Sequence, residues 1–572
     1  MDNRLVIREY LESLTEDQEL DAIFPLLLVA KGFRVLATPA NSKGQSQYGK
    51  DIVAIGKDEK GVVSRFYCEL KGGRNRNVDD HTFYDNDGIR MSLLEAKDTP
   101  FLHAGVPAFE KLPIKYVLVH NGDIKENIRQ SFEGFTANTF PDGNFERWDL
   151  DWLTQEFDKY LFNEHLIPNQ IDSRLFRRVL LLIDTPDYNQ VDFRQLVKNL
   201  LARLPDPKQK RKFRSAWATL ALLGRIVWNK CRQNENLYPA IDALNFLLLE
   251  SWAEILRRKF DTSKSVLREF RRLVKLHFSF LREYFKKTSS AAALPNGLFV
   301  ERSGPFEEIG YPMRSFEYLG LLIYYFEASR WFPDFESCQT SQRKNRLEVF
   351  HKRYLKQLLE SNSGCQRPLL DSHSIPILAT VLYILSCEQV SKVDRKIVGN
   401  YIIGNLDSIF VIKDVSGRFP SISLNLNPLI EYVATANRPF NYSDESSLLI
   451  PVLLDLMAFL NLDKAWVDGL KLLHKIEIDF QVAIPNESEF DIEQRLFENH
   501  LDEEFHIESS IEYPKTAQEY RDSSKNENLS PLVYRTDKAG FPFLRTLAHV
   551  YYKSEFFPAD VKATLSATAS IK

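Results

Sequence analysis

Four short apolar runs, FRVLATP, DIVAIG, VVSRFYCELK and IKYVLVH, fall before residue 121, and past the Pro/Asn break at LIPNQIDS such runs nearly vanish. This change of periodicity constrains the fold more than any other feature of the chain. Short apolar or alternating runs bounded by turn residues mark strands, whereas apolar residues recurring every three or four positions mark helices. The block up to about residue 165 therefore predicts a central mixed sheet flanked by helices, and the remainder a large all-α region.

Within the first block, Thr15 and Gln18 have the spacing of a capping box, and Leu20, Ile23, Phe24, Leu27 and Leu28 recur at helical spacing up to Gly32. These residues predict an amphipathic helix with a glycine stop. Pro25 removes the hydrogen bond to the Asp21 carbonyl, so the helix is expected to kink or begin there. GKDEKG, between the second and third runs, reads as a hairpin turn. RWDLDWLTQEFDKYL closes the block, with Leu153, Phe157 and Leu161 on one helical face.

At 572 residues the chain exceeds the size at which a single core stops growing, roughly 250 to 300 residues. Residues 1–165 and 166–572 are expected as separate domains, with a further boundary near 288–300 where a Ser/Pro/Asn cluster interrupts the helical pattern. AWATLALLGRIVWNKC, ALNFLLLESWAEILRRKF and LLIPVLLDLMAFLNL are typical of the second region. No unit of 30 to 45 residues recurs, which argues against a regular solenoid. PKTAQEYRDSSKNENLSP reads as an exposed loop and the terminal ATLSATASIK as a frayed tail.

With 44% hydrophobic and 27% charged residues the composition is that of a globular protein. A net charge of -4 supplies no global positive field for nucleic acid or an anionic membrane, so a partner of that kind must meet a local patch. Cys68, Cys231, Cys338, Cys365 and Cys387 form no CxxC pair, and neither a zinc site nor a disulfide framework is expected. MDNRLVIREYLESL interrupts its apolar residues with acids, unlike a secretory signal. No stretch approaches the ~20 apolar residues that span a bilayer, and a cytoplasmic protein without a membrane partner is expected.

FYCELKGG, residues 66 to 73, places two opposite charges in a strand that otherwise reads as sheet interior. Alternation puts Glu69 and Lys71 on one face with Tyr67, and Cys68 and Leu70 on the other. In QYGKDIVAIG, Asp51 stands at the mouth of the preceding strand, after Gly49, and in a hairpin it can converge with Glu69. Two carboxylates and the Leu70 backbone carbonyl make a hard oxygen site suited to Mg²⁺ or Mn²⁺. Such a metal polarises a phosphoryl oxygen and activates water, and a neighbouring lysine orients that water and offsets charge on the phosphate. These residues outline a phosphodiester hydrolase.

The order of amphipathic helix, KGF turn, strand, G-K-D, strand, hairpin and E-L-K resembles the PD-(D/E)XK nucleases, particularly the restriction-endonuclease-like branch that includes Mrr-like enzymes. The resemblance covers about a quarter of the chain. It implies Asp51, Glu69 and Lys71 as metal and catalytic residues, together with an acid on the first helix, for which Asp21 is the better match and Glu19 the reserve. It implies DNA as substrate and a bacterial restriction or phage-defence setting, in which the helical region controls or targets cleavage, assembles a homo-oligomer or receives a partner protein. Lys50 stands where the family has proline.

Other readings of the same residues stay open: a solvent-facing Glu/Lys pair on an edge strand, or a degenerate nuclease fold kept as a non-catalytic nucleic-acid- or protein-binding module. His120, at the end of IKYVLVH, reads as a structural histidine. The segment RRKFDTSKSVLREFRRLVKLHFSFLREYFKK carries Arg268, Arg271, Arg272 and Lys275 on the solvent face of an amphipathic helix. That stripe either follows phosphates or pairs with acidic helices such as ESEFDIEQRLFENHLDEEF.

Overall fold

The computed structural model describes the chain apart from residues 1–3, 5, 6, 9, 10, 13, 40–48, 87, 102–105, 107, 108, 162–169, 184, 186, 187, 300–303, 332–340, 486–490, 500–504, 525–531 and 570–572. Cys338 lies outside the described residues. The chain forms two compact units, one comprising Met1–Leu247 with Arg268–Leu273, the other Leu248–Leu267 with Val274–Lys572. The first unit thus runs well past residue 165.

The first unit is built on a five-stranded mixed sheet in the order β1 (Arg34–Ala37), β2 (Ile52–Lys57), β3 (Val63–Lys71), β4 (Ile114–His120) and β5 (Phe145–Trp148). β2 runs antiparallel to both β1 and β3, while β4 is parallel to β3 and β5 to β4. The four expected strands are present, and the hairpin turn falls at Asp58, whose carboxylate accepts from the Lys60 and Val62 amides. β5 was not expected. Its FERW sequence is short and half polar, and pairing with β4 is what makes it a strand.

Each face of the sheet is covered, as a parallel segment requires. On one face Val53, Tyr67, Tyr116 and Leu118 pack with Phe83, Leu93, Phe109, Ile128 and Phe132 from intervening segments that include the helices Asp80–Tyr84, Ile89–Asp98 and Glu126–Thr139. On the other, Phe66 packs at a tilt against Phe33 and Trp148, and Trp148 meets Phe24 of the Asp21–Lys31 helix. That helix also packs on the Lys210–Gln233 helix.

The first helix ends at Gly32 with φ 98, as expected, but its start differs. Glu16–Leu20 winds as a π turn, and Asp21 opens the α-helix that contains Pro25. Thr15 makes no side-chain cap to the backbone. Instead Glu19 Oε2 accepts from the Thr15 amide at 2.6 Å and from its hydroxyl at 2.9 Å. The Gln18 side chain lies outside the described residues.

The second unit is mainly helical. Tyr311–Trp331 packs on Ser374–Leu385 and Phe543–Tyr552, and Ser374–Leu385 on Leu449–Phe459. Leu319, Ile323, Ile377, Leu453, Met457 and Leu547 are fully buried there. Two small sheets were not expected: Ser446–Ser447 pairs with Asp479–Phe480, and Val482–Pro485 with Phe505–Glu508. The stretch expected as a loop contains the helix Ala517–Ser524, anchored because Tyr520 packs on Trp466 and donates to Asp455. The expected frayed tail is likewise helical over Pro558–Ala569, where Val561 and Leu565 are buried. Among the described residues no helix is long and apolar enough to cross a membrane.

Candidate active site

The β2–β3 register pairs Ile52 with Cys68 and Val53 with Tyr67. One step further along each strand lie Asp51 and Glu69, so the antiparallel geometry sets them opposite one another. Gly49 makes the approach to β2 possible. Its φ is +66 and a Cβ there would meet the Ser92 carbonyl oxygen at 1.8 Å, so no other residue fits without rearrangement.

Asp51 Oδ2 accepts the Leu70 amide at 2.8 Å. Lys71 Nζ lies 2.9 Å from Glu69 Oε1 and 3.5 Å from Glu16 Oε1, and the other Glu16 oxygen accepts the Gly72 amide at 3.4 Å. Gly72 lets the two segments touch, since a Cβ on it would meet the Glu16 nitrogen at 2.8 Å. The structure thus brings Asp51, Glu69 and Lys71 together with Glu16. The contact shown for Leu70 is made by its amide.

The first-helix acid at this cluster is Glu16, not the residues expected. Glu19 is turned to Thr15 and forms an ion pair with Arg232, while Asp21 opens the helix proper a turn further on. Asp21 was the better match to the acid that the resemblance implies because it stands eleven residues before Gly32. The π turn and the Gly72 contact that bring Glu16 into place have no signal in the sequence.

Crowded carboxylates carry the electrostatic consequence. Burial and the adjacent Glu69 charge push the Asp51 carboxyl well above the usual range, against the opposing pull of the Leu70 N–H and Lys71. Burial also raises Glu16, partly offset by Lys71. For Lys71 burial acts downward, but Glu69, Glu16 and Asp51 outweigh it, and the amine is held more firmly protonated than a free lysine.

Two neighbours complete the surroundings. His120 pairs in register with Lys71, is 1% exposed, and is pushed down to about 4 by burial and by Arg147, so it is neutral at physiological pH. Lys50 is buried with its amine 5.5 Å from the centre of the Tyr67 ring, and burial lowers it to about 8 against the opposing pull of Glu95.

Among the described residues no group of three or more His, Cys, Asp or Glu side chains is arranged to hold a metal ion. Asp51 and Glu69 supply two oxygen donors of the hard type Mg²⁺ takes, and their mutual repulsion is what a cation relieves. The donor chemistry fits a metal held by two carboxylates, water and substrate rather than an all-protein cage.

The basic stripe carries its own countercharge. Glu269, 4% exposed, lies 2.6 Å from Arg272, 3.5 Å from Arg268 and 3.9 Å from Arg214. Arg271 is exposed and Lys275 half-buried. The i, i+3 spacing of Glu269 and Arg272 was a legible sign of this pairing. Further along, Arg257 pairs with Glu498 at 3.0 Å, within the acidic helix that the sequence had offered as an alternative partner. Compared with known protein families, curated proteins and solved structures, the chain has no match.

Proposed function

We propose that the first unit is a Mg²⁺- or Mn²⁺-dependent endonuclease of the PD-(D/E)XK type that hydrolyses phosphodiester bonds in DNA. The observation that supports this reading above others is the placement of Asp51 opposite Glu69, with Lys71 ion-paired to Glu69, at one end of adjacent strands. A helix and an antiparallel hairpin carry this cluster in the order the resemblance implies, and two further parallel strands extend the sheet beside it.

In this reading Asp51 and Glu69 hold the metal, with the Leu70 carbonyl as the backbone donor. When bound, the metal supplies Lewis-acid polarisation of the phosphoryl oxygen and an activated water. Lys71, protonated, donates hydrogen bonds to the water or to the scissile phosphate and offsets the charge that grows there. Glu16 fixes the direction of the Lys71 ammonium. The second unit controls or targets cleavage, through a partner protein or a homo-oligomer, in a bacterial restriction or phage-defence setting.

A non-catalytic binding module is the second reading, and one observation favours it: the cluster is satisfied internally, with Asp51 on the Leu70 amide and Lys71 on Glu69 and Glu16. Incubating the purified protein with plasmid DNA and with RNA, in Mg²⁺ and in EDTA, decides between them. Metal-dependent cleavage lost in Asp51→Ala supports the hydrolase. Binding without cleavage under every metal tried supports the module.

A further inference from the structure

We infer that Arg74 contacts a backbone phosphate flanking the scissile one, so that the site takes a phosphate-linked polymer rather than a mononucleotide; this rests on the hydrolase reading above. Arg74 lies on the one-turn helix Gly73–Asn75, which begins two residues after Lys71. Three virtual bonds of 3.8 Å keep its Cα within about 11 Å of the Lys71 Cα, so the two side chains are rooted close to one another.

The turn is fixed. The Gly73 amide donates to the Leu14 carbonyl at 3.0 Å and the Asn75 amide to the Gly72 carbonyl at 3.2 Å. Gly73 adopts φ +61 and a Cβ on it would press on Thr15 at 3.2 Å. The backbone that presents Arg74 is therefore seated against the segment that delivers Glu16, and the position of the side chain's root is tied to that of the site.

Electrostatics explains why a cation is needed there. Asp51, Glu69 and Glu16 make this end of the sheet repel a polyanion. The neighbouring cations are committed: Lys71 to Glu69 and Glu16, Arg76 to Glu12 at 3.4 Å, Arg147 to Asp149 at 2.7 Å, and the buried Lys50 to the face of the Tyr67 ring. Arg74 is exposed, and among the described residues its side chain has no ion pair or hydrogen bond. A guanidinium left in water beside an acidic site is suited to bind phosphate through its planar fork.

The test uses the full-length protein with Arg74→Glu and Arg74→Lys. Binding of a short fluorescein-labelled DNA duplex, and of a single-stranded RNA of the same sequence, is followed by anisotropy in EDTA across a salt series. Cleavage of the duplex is compared in Mg²⁺ with hydrolysis of bis(p-nitrophenyl) phosphate, which has no flanking phosphates. Loss of one phosphate contact lowers the log–log salt slope by about 0.9 on duplex DNA. The expected result is that drop for Arg74→Glu, recovery of the slope in Arg74→Lys, and a several-fold rise in KM for the duplex with a much smaller effect on the small diester. A change on RNA alone assigns the same phosphate contact to RNA. An unchanged slope and KM in a parent that cleaves overturn the role of Arg74, as does an equal loss on polymer and small diester. A parent that binds neither nucleic acid and hydrolyses neither substrate overturns the hydrolase reading, and the Arg74 contact with it.

Discussion

The Lys71 ammonium lies 2.9 Å from the carboxylate of Glu69, two residues back on the same face of β3. Both side chains are nearly buried, at 12% and 5% exposure. Each is therefore the main counter-charge of the other, and Glu16 is the secondary one.

Replacing either partner is expected to act on folding as well as on activity. Glu69→Ala leaves Lys71 with Glu16 as its remaining ion-pair partner and should cost about 1.5–3 kcal/mol of stability, the range for hydrogen bonds to charged groups. It should also abolish metal-dependent cleavage. Urea unfolding read beside a plasmid assay measures both effects.

Asp51→Asn separates the two. Asn keeps an oxygen for the Leu70 amide while removing the charge. Because the folded pKa of Asp51 is raised, its contribution to stability is fully present below the unfolded value of about 3.9 and is lost as pH rises through the folded value. At pH 8 Asp51→Asn is therefore expected to unfold no earlier than the parent, and to cut no DNA. A lower melting temperature than the parent at pH 8 contradicts the raised pKa.

Glu16→Gln tests the residue that the first helix brings to the site. It keeps an acceptor for the Gly72 amide but weakens the hold on Lys71. A misplaced catalytic group costs about a hundred-fold in rate, and that loss, with circular dichroism unchanged, is the expected outcome. Asp21→Asn should leave the rate nearly unaltered.

The Glu19–Arg232 pair joins the start of the first helix to the Lys210–Gln233 helix within the first unit. Arg232→Ala leaves the buried Glu19 carboxylate with only Thr15, at an expected cost of about 1–3 kcal/mol. A fragment ending at residue 165 lacks that helix and should be less stable than the same unit in the full chain, as proteolysis rates would show.

In the second unit Glu555 accepts the Ser374 hydroxyl at 2.8 Å and is raised to about 8 by burial, against the opposing effect of that hydrogen bond. Its contribution to stability is complete below the unfolded value near 4.5 and disappears as pH climbs through 8. Glu555→Gln should flatten the fall in thermal stability between those limits. An unchanged slope places the pH dependence elsewhere.

The sequence by itself determined the elements whose signal is local. β2 and β3 were legible because their apolar runs are long and bounded by GKDEKG, and two-residue periodicity then put Glu69 and Lys71 on one face. The first helix was legible to its glycine stop. β5 was not, because FERW has little strand character until β4 offers it hydrogen bonds. The helix Ala517–Ser524 was not, because Trp466, distant in sequence, supplies its apolar contact.

Tertiary structure alone decided the identity of the first-helix acid. Glu16, Glu19 and Asp21 all lie at the start of the same apolar stripe, and nothing local ranks them. A π turn, the bare Cα of Gly72 and an arginine from the Lys210–Gln233 helix direct Glu16 to Lys71 and Glu19 away from it. Side-chain alternation is a property of one strand and can be read from it. Convergence of charges from separate elements depends on how those elements pack, and only the folded chain fixes that.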